Sequence, residues 1–473
     1  MIFNTTEFFL LFIITLGFYY LLPGRRLYIL AVANALFYIV GGIGYLGLFV
    51  FISTITYLFS QILQGSNRKL FLGLAVSLNV VNLLFFKYSL FILSNIGRLF
   101  PVALVNNHPF FANLVLPIGI SFYTFELIAY LVDVYREKIP PAKSLLVFWV
   151  FISFFPHRVA GPIMRGRDLI PDLENAGKIT WSASQWKLGI AYLAMGLVKK
   201  ILIADYLADY AAPFFTSVPT INGVEAWIGA YLYTFQIYFD FSAYSEMAIG
   251  IAFLLGIKLD LNFRTPYLSE NPSEFWKRWH ITLSTWIRDY LYIPLGGSRL
   301  GEWRKHMNLF VSMAISGLWH GAAWVFAVWG MYHGLLLILH KLYGKVRARL
   351  RLPSRFEMLY KALSILITFH LICMGWVFFR ASSINQALMM IKKMLTVRPY
   401  QLSMLSVKYL AVVAGLYLLH IIEHYARTHY EELSSWWGKR FPPPIRALVY
   451  TALIVILVLF VHKGHSSFIY FKF

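Results

Sequence analysis

The sequence predicts an all-α polytopic membrane protein, and three observations carry that prediction. First, 59% of the 473 residues are hydrophobic and 18% aromatic, while only 13% are charged. A soluble domain carries about 25% charged residues, and so apolar a chain could not cover its surface with polar groups in water. Second, the apolar residues fall in runs that approach the roughly 20 residues a helix needs to cross the hydrocarbon core. Third, Lys and Arg number 42 against 21 Asp and Glu. The basic residues sit mostly in short breaks between runs, as in Arg25-Arg26, Arg68-Lys69 and Lys199-Lys200. Loops facing anionic cytoplasmic headgroups carry that bias. Nucleic-acid binding, the rival explanation of a +21 net charge, would gather it into stripes on a soluble domain.

Candidate spans lie at 7–23, 27–42, 45–63, 70–96, 115–133, 145–156, 188–204, 224–256, 307–340, 360–379, 406–423 and 446–462. The run at 145–156 is short and suits a tilted or re-entrant segment. Those at 224–256 and 307–340 are long enough to be bent pairs. Roughly ten to twelve membrane-embedded helices follow from these lengths, in a single domain covering residues 1–473. The start, MIFNTTEFF, lacks a basic leader region and carries Glu7, so the first apolar stretch reads as a retained span. Arg25-Arg26 puts the loop after it on the cytoplasmic side. The tract 341–361, with Lys341, Lys345, Arg347, Arg349, Arg351, Arg355 and Lys361, reads as a cytoplasmic loop against the membrane surface. Cys373 is the single cysteine, which excludes an intrachain disulfide and a cysteine metal cluster.

The break at 258–306 is amphipathic and aromatic. Asn271, Pro272 and Glu274 form a helix start: an N-cap, a proline at the first position and an acid at the third. The expected helix runs to about Tyr292 and stops near Pro294 and Gly296-Gly297. Trp276, Trp279, Leu283, Trp286, Ile287 and Tyr290 give it a broad apolar face, with Lys277, Arg278 and Arg288 largely off it. Such a helix lies in the interface or folds back into the protein.

Ionisable groups inside apolar runs are functional candidates. His320 stands in SGLWHGAAWVFAVWGMYHG, within more than thirty residues without Asp, Glu, Lys or Arg. Burial favours an uncharged imidazole, and that form can take a proton from a hydroxyl attacking a thioester carbonyl. Gly317 and Gly321 flank it and permit a bend or a close approach. The alternative is a histidine hydrogen-bonded between helices, the reading given to His333 and His340. His280, in FWKRWHITLS, is a second catalytic group or substrate ligand, or else an interfacial histidine packed beside Trp276 and Ser284. The segment YFDFSAYSEMAIG sets Asp240, Ser242, Tyr244, Ser245 and Glu246 in an apolar run, as a donor site or as a structural hydrogen-bond network. In FFPHRVAGPIMRGRD, Pro156 and Gly161-Pro162 break any helix. His157, Arg158, Arg165 and Arg167 there suit phosphates if exposed, or simply anchor the chain. No nucleotide-binding, HExxH or GxSxG motif occurs.

These segments together resemble the membrane-bound O-acyltransferase (MBOAT) family, in its bacterial branch typified by the membrane subunit of alginate O-acetylation. The resembling pieces are PIGISFYTFELIAYLVDVYR from Pro117, FFPHRVAGPIMR from Phe154 and YFDFSAYSEMAIG from Tyr238. EFWKRWHITLSTWIRDYLYIPLGG from Glu274, GLWHGAAWVFAVWGMYHG from Gly317 and SFIYFKF from Ser467 continue the series. Ala243, Gly166 and Ser316 depart from the family wording without removing a candidate catalytic group.

The resemblance implies tilted helices around a thinned centre crossed by a funnel or tunnel. It implies that His320 is catalytic and that His280 matters. Donor or substrate contacts would come from Asp240, Tyr244, Arg158, Arg165, Trp319, Arg288 and Asp289. It further implies a bacterial inner-membrane enzyme without a bound cofactor or metal. Acetyl-CoA would be the acyl donor, a cell-surface polysaccharide such as alginate, cellulose or peptidoglycan the acceptor, and an extracytoplasmic acyltransferase the partner. Three alternatives stay open: transfer of a D-alanyl or fatty acyl group, a transporter or flippase without covalent chemistry, and a catalytically silent scaffold.

Overall fold

The computed structural model describes residues 3, 5–99, 116–158, 160–347, 356–461 and 468. Val159, Arg349, Arg351, Arg355, Ser467 and most of the SFIYFKF ending lie outside the described residues. The regular elements within them are all helical. The chain separates into two compact units. One comprises Met1–Met195, Tyr244–Leu261 and Thr285–Leu291; the other comprises Gly196–Ala243, Asn262–Ser284 and Tyr292–Phe473.

In the first unit, α1 (Thr6–Leu21) and α2 (Arg26–Ile39) are joined by a single turn at Pro23–Arg25 and bend by 117°. Then come α3 (Ile43–Ile62), α4 (Arg68–Leu99), α5 (Ile120–Tyr135), α6 (Leu145–Ser153), α7 (Gly166–Glu174) and α8 (Ala183–Val198). The basic pair at the bend corrects a sequence expectation. Arg26 does not face headgroups but is buried. Its guanidinium donates to the carbonyls of Tyr19 (2.9 Å), Ala176 (2.7 Å) and Ile179 (2.6 Å), so backbone dipoles replace the water it has lost. The nine residues of α6 are too few to cross a bilayer, as its short run foretold. Asn34 of α2 ties down its end, donating to Ser153 Oγ (2.8 Å) and accepting from the Phe155 N–H (2.9 Å).

The second unit opens on a π-helical turn, Lys199–Ala204, leading into α9 (Asp205–Thr216). The run at 224–256 forms one helix, α10 (Gly223–Leu254), rather than a bent pair. It contains no proline, so nothing interrupts its hydrogen-bond ladder; it starts in the second unit and ends in the first. After α11 (Pro272–Arg278) and α12 (Ile281–Ile287), the run at 307–340 does divide, into α13 (Glu302–His320) and α14 (Trp324–Arg347). The unit closes with α15 (Glu357–Arg380), α16 (Ile384–Leu395), α17 (Met404–Thr428), α18 (Tyr430–Arg440) and α19 (Pro443–Leu459).

Among the described residues, five helices are long and apolar enough to cross a membrane, or up to seven if each bent pair is one span. The five are α3, α4, α14, α15 and α17. Only 11% of the apolar window of α17 is buried in protein, so its flanks need lipid as their solvent. The fold is that of a multi-pass membrane protein.

Candidate active site

The second unit assembles the histidine site around a helical hairpin. Glycines let α13 and α14 touch. A Cβ added at Gly317 would strike the Phe326 carbonyl and lie 2.9 Å from Gly330 Cα, and one at Gly330 would strike the Met313 carbonyl. The chain leaves α13 at Gly321, whose backbone is extended, and a side chain there would collide with the Phe326 ring. His320 therefore ends its helix, buried at 3% exposure. Its imidazole is boxed by Trp319 (4.9 Å between ring centroids), Trp329 (5.0 Å, 89° between planes) and Phe379 (5.2 Å). His333, one turn from Trp329, packs among Trp276 (5.2 Å) and Trp329 (4.8 Å). Gly375 gives it room, since a Cβ there would lie 2.8 Å from His333 Nε2.

The segment around His280 departs from the expected continuous helix. The start is as read: Asn271 Oδ1 caps the Glu274 N–H at 2.9 Å with Pro272 next in line, and Glu274 returns a bond to the Glu270 N–H at 2.8 Å. The helix then ends at Arg278 instead of Tyr292. Trp279 is extended, and His280 has φ +41°, in the left-handed region. A second short helix follows, and then a π-helical turn at Arg288–Tyr292. The break has a tertiary cause. The stretch 262–264 runs alongside, with the Arg264 N–H donating to the Arg278 carbonyl (2.9 Å) and the Ile281 N–H to the Asn262 carbonyl (3.0 Å). His280 is thus set between two helices rather than on one. It is fully buried, edge-on to Phe241 (4.7 Å, 88°) and 6.3 Å from Trp319. Burial pushes its imidazole down, to about 3, so it is uncharged at neutral pH. Trp276, Trp279, Leu283, Trp286 and Ile287 are buried as the apolar pattern required.

Asp240 belongs to a buried charge cluster in the same unit. Lys200 Nζ lies 2.7 Å from Asp240 and 2.8 Å from Asp205, and Lys199 Nζ lies 2.6 Å from Glu423. Tyr238 donates its hydroxyl to Glu423 at 2.9 Å. The pair Lys199-Lys200, read as a headgroup-facing break, is in fact buried and neutralised by carboxylates. Lys199, Lys200 and Glu423 were missed as site neighbours; of the three, Glu423 stands within the apolar run 406–423, a signal that could have flagged it. Tyr244, one turn beyond Asp240, is buried and stacks on Phe3 at 5.3 Å.

In the first unit the expected cationic cluster divides. Arg158 is not an exposed phosphate ligand: it is fully buried. Glu126 lies 3.4 Å from it and 2.8 Å from His157 Nε2. The Arg158 guanidinium sits over the rings of Phe49 and Tyr123 at 5.4 Å and donates to the Ile152 carbonyl. Glu126, inside SFYTFELIAYL, was the overlooked partner. Arg165 is buried too, against Asp289 (3.4 Å) and the Tyr290 ring (4.5 Å), whereas Arg288, which meets Asp289 at 2.7 Å, keeps its own side chain 59% exposed. Arg165, Arg288 and Asp289 are therefore neighbours, and Arg288 is open to solvent.

The sequence profile of the membrane-bound O-acyltransferase family matches residues 71–384. The chain is similar to a protein of Pseudomonas putida named probable alginate O-acetylase, 34% identical over 504 aligned positions that cover all of both chains. It is 36% identical over 405 positions to the peptidoglycan O-acetyltransferase of Helicobacter pylori, covering 80% of this chain and 75% of that one. It is 30% identical over 283 positions to the teichoic acid D-alanyltransferase of Bacillus subtilis, covering 56% and 69%.

Proposed function

The chain belongs to the membrane-bound O-acyltransferase family, and from that premise we propose that it carries an acetyl group across a bacterial inner membrane for O-acetylation of a cell-surface polysaccharide. The observation that carries the reading is the pair of buried histidines: His320 at the end of α13, boxed in aromatic rings, with His280 against the same Trp319. Relatives named for O-acetylation of alginate and peptidoglycan make acetyl the preferred cargo.

In this mechanism acetyl-CoA enters from the cytoplasm and its phosphates meet exposed basic groups such as Arg288. Imidazole at His320 takes the proton of the acceptor hydroxyl as its oxygen attacks the thioester carbonyl. The carbon–sulfur bond breaks, and the imidazolium returns the proton to the leaving thiolate, giving an O-acetyl ester and free coenzyme A. The acceptor is the glycan itself or an extracytoplasmic acyltransferase that passes the group on. Ten to twelve embedded helices around a thinned, funnelled centre would let one histidine serve both faces.

Purified protein in detergent, given an acetyl thioester and a glycan acceptor, tests the reading. His320→Ala should lose about 10²–10⁴-fold in acetyl transfer while inserting normally. Wild-type transfer by that variant would end the proposal. The D-alanyl relative supplies the second reading: an ester released from the native envelope polymer as D-alanine, not acetate, would replace the cargo and keep the fold.

A further inference from the structure

We propose that Asn262 is a positioning residue that holds His280 as its Nδ1–H tautomer and leaves Nε2 as a bare acceptor for the proton of a hydroxyl or thiol. The proposal rests on the reading above only in taking His280 as part of the acyl-transfer site.

The argument begins with one oxygen. The backbone N–H of Thr282 points at the Asn262 side chain at 3.4 Å, and the Thr282 hydroxyl lies 2.6 Å from the same atom. A backbone N–H can only donate, so that atom is the amide oxygen, Oδ1, and not the amide nitrogen. His280 Nδ1 lies 3.3 Å from this oxygen. An acceptor cannot bond an acceptor, so Nδ1 carries the proton. The imidazole is fully buried, and burial disfavours a second proton; Nε2 is then a lone pair.

The backbone joins the same clasp. The Ile281 N–H donates to the Asn262 carbonyl at 3.0 Å, which helps keep His280 at φ +41°, a conformation that side-chain-bearing residues rarely adopt. Such strain persists only where surrounding contacts over-determine it. Among the described residues, no hydrogen-bond partner faces Nε2 although it is buried. A buried acceptor held in one tautomer, with its lone pair unused, fits a ligand that donates. It follows that His280 receives a proton-bearing group of a substrate and cannot donate to a developing oxyanion.

Solid-state NMR decides the tautomer. Histidine labelled with carbon-13 and nitrogen-15, combined with carbonyl-labelled tryptophan, selects the two histidines that follow a tryptophan, His280 and His320. In the His320→Ala variant only His280 remains. Its spectrum should show a protonated Nδ1 and a bare Nε2, and Asn262→Leu in that background should raise the Nε2–H form. A protonated Nε2 with Asn262 intact would overturn the proposal, and that readout does not depend on how Asn262→Leu folds. With His320 present, Asn262→Leu should lower kcat about tenfold, the scale of one hydrogen bond, and leave the thioester KM unchanged. If His280→Gln and His320→Ala both kept full thioester turnover, the site assignment would fail while the tautomer result stood.

Discussion

Gly317 and Gly330 bring α13 and α14 into backbone contact, so that a methyl group on either would lie within 3.0 Å of the other's main chain. His320 stands three residues beyond that contact, and its place depends on it. Gly317→Ala or Gly330→Ala adds one carbon where no void exists, and overpacking of that kind destabilises by about 1–3 kcal/mol. Each variant should unfold earlier in a detergent thermal melt and transfer acetyl with lowered kcat. Wild-type melting and turnover in both would mean that the hairpin relaxes without consequence for His320.

Lys200 gives a second prediction. It is 1% exposed and held between Asp205 and Asp240. Lys200→Met leaves two carboxylates buried without their cation, and breaking such a pair destabilises by about 3–5 kcal/mol. Asp240→Asn placed on top should recover part of that loss, because one uncompensated charge is gone. A double-mutant cycle in unfolding experiments checks the coupling; strictly additive effects would show that the two side chains do not support one another.

How far the sequence could reach is clear from particular residues. The Asn271-Pro272-Glu274 start was legible because a helix cap is closed by groups three or four residues apart. The hairpin in 307–340 was legible as a possible break because the run exceeds one crossing and contains Gly321. The end of α11 was not, because Asn262 and Arg264 cause it from a distant stretch of chain. Arg26, Arg158, Lys199 and Lys200 were read as surface charge for the same reason. Their partners are the carbonyls of Ala176 and Ile179, Glu126, Glu423 and Asp240, and no local pattern announces such pairings. The His280–Trp319–His320 neighbourhood likewise joins residues some forty positions apart, which only the fold makes adjacent.

The exposed Arg288 offers a prediction on donor binding. Under the proposed mechanism it meets the donor's phosphates as a solvent-screened charge, and such contacts are worth up to about 1 kcal/mol. Arg288→Ala should therefore raise the acetyl-CoA KM by roughly fivefold or less with kcat unchanged. The difference from wild type should fade in high salt, where exposed charges are screened. A kcat defect at unchanged KM would place Arg288 in the fold of its segment instead of at the donor.

The depressed affinity of His280 for protons makes a final prediction about stability and pH. Its folded value is about 3 against an ordinary 6.5. Above 6.5 the imidazole is uncharged whether the chain is folded or not, and it confers no pH dependence. Between 6.5 and 3 the unfolded chain binds a proton there and the folded chain does not, so acid favours unfolding. The stability that depends on a neutral His280 is thus complete above pH 6.5 and declines as pH falls toward 3, by up to about 1.4 kcal/mol per pH unit for one proton. His280→Gln cannot titrate. Plotted against pH, its unfolding free energy in mixed micelles should be flatter than that of wild type across this window, and the two curves should run parallel above it. Parallel curves throughout would show that His280 takes up its proton in the folded protein, and the buried, uncharged imidazole on which the site depends would be lost.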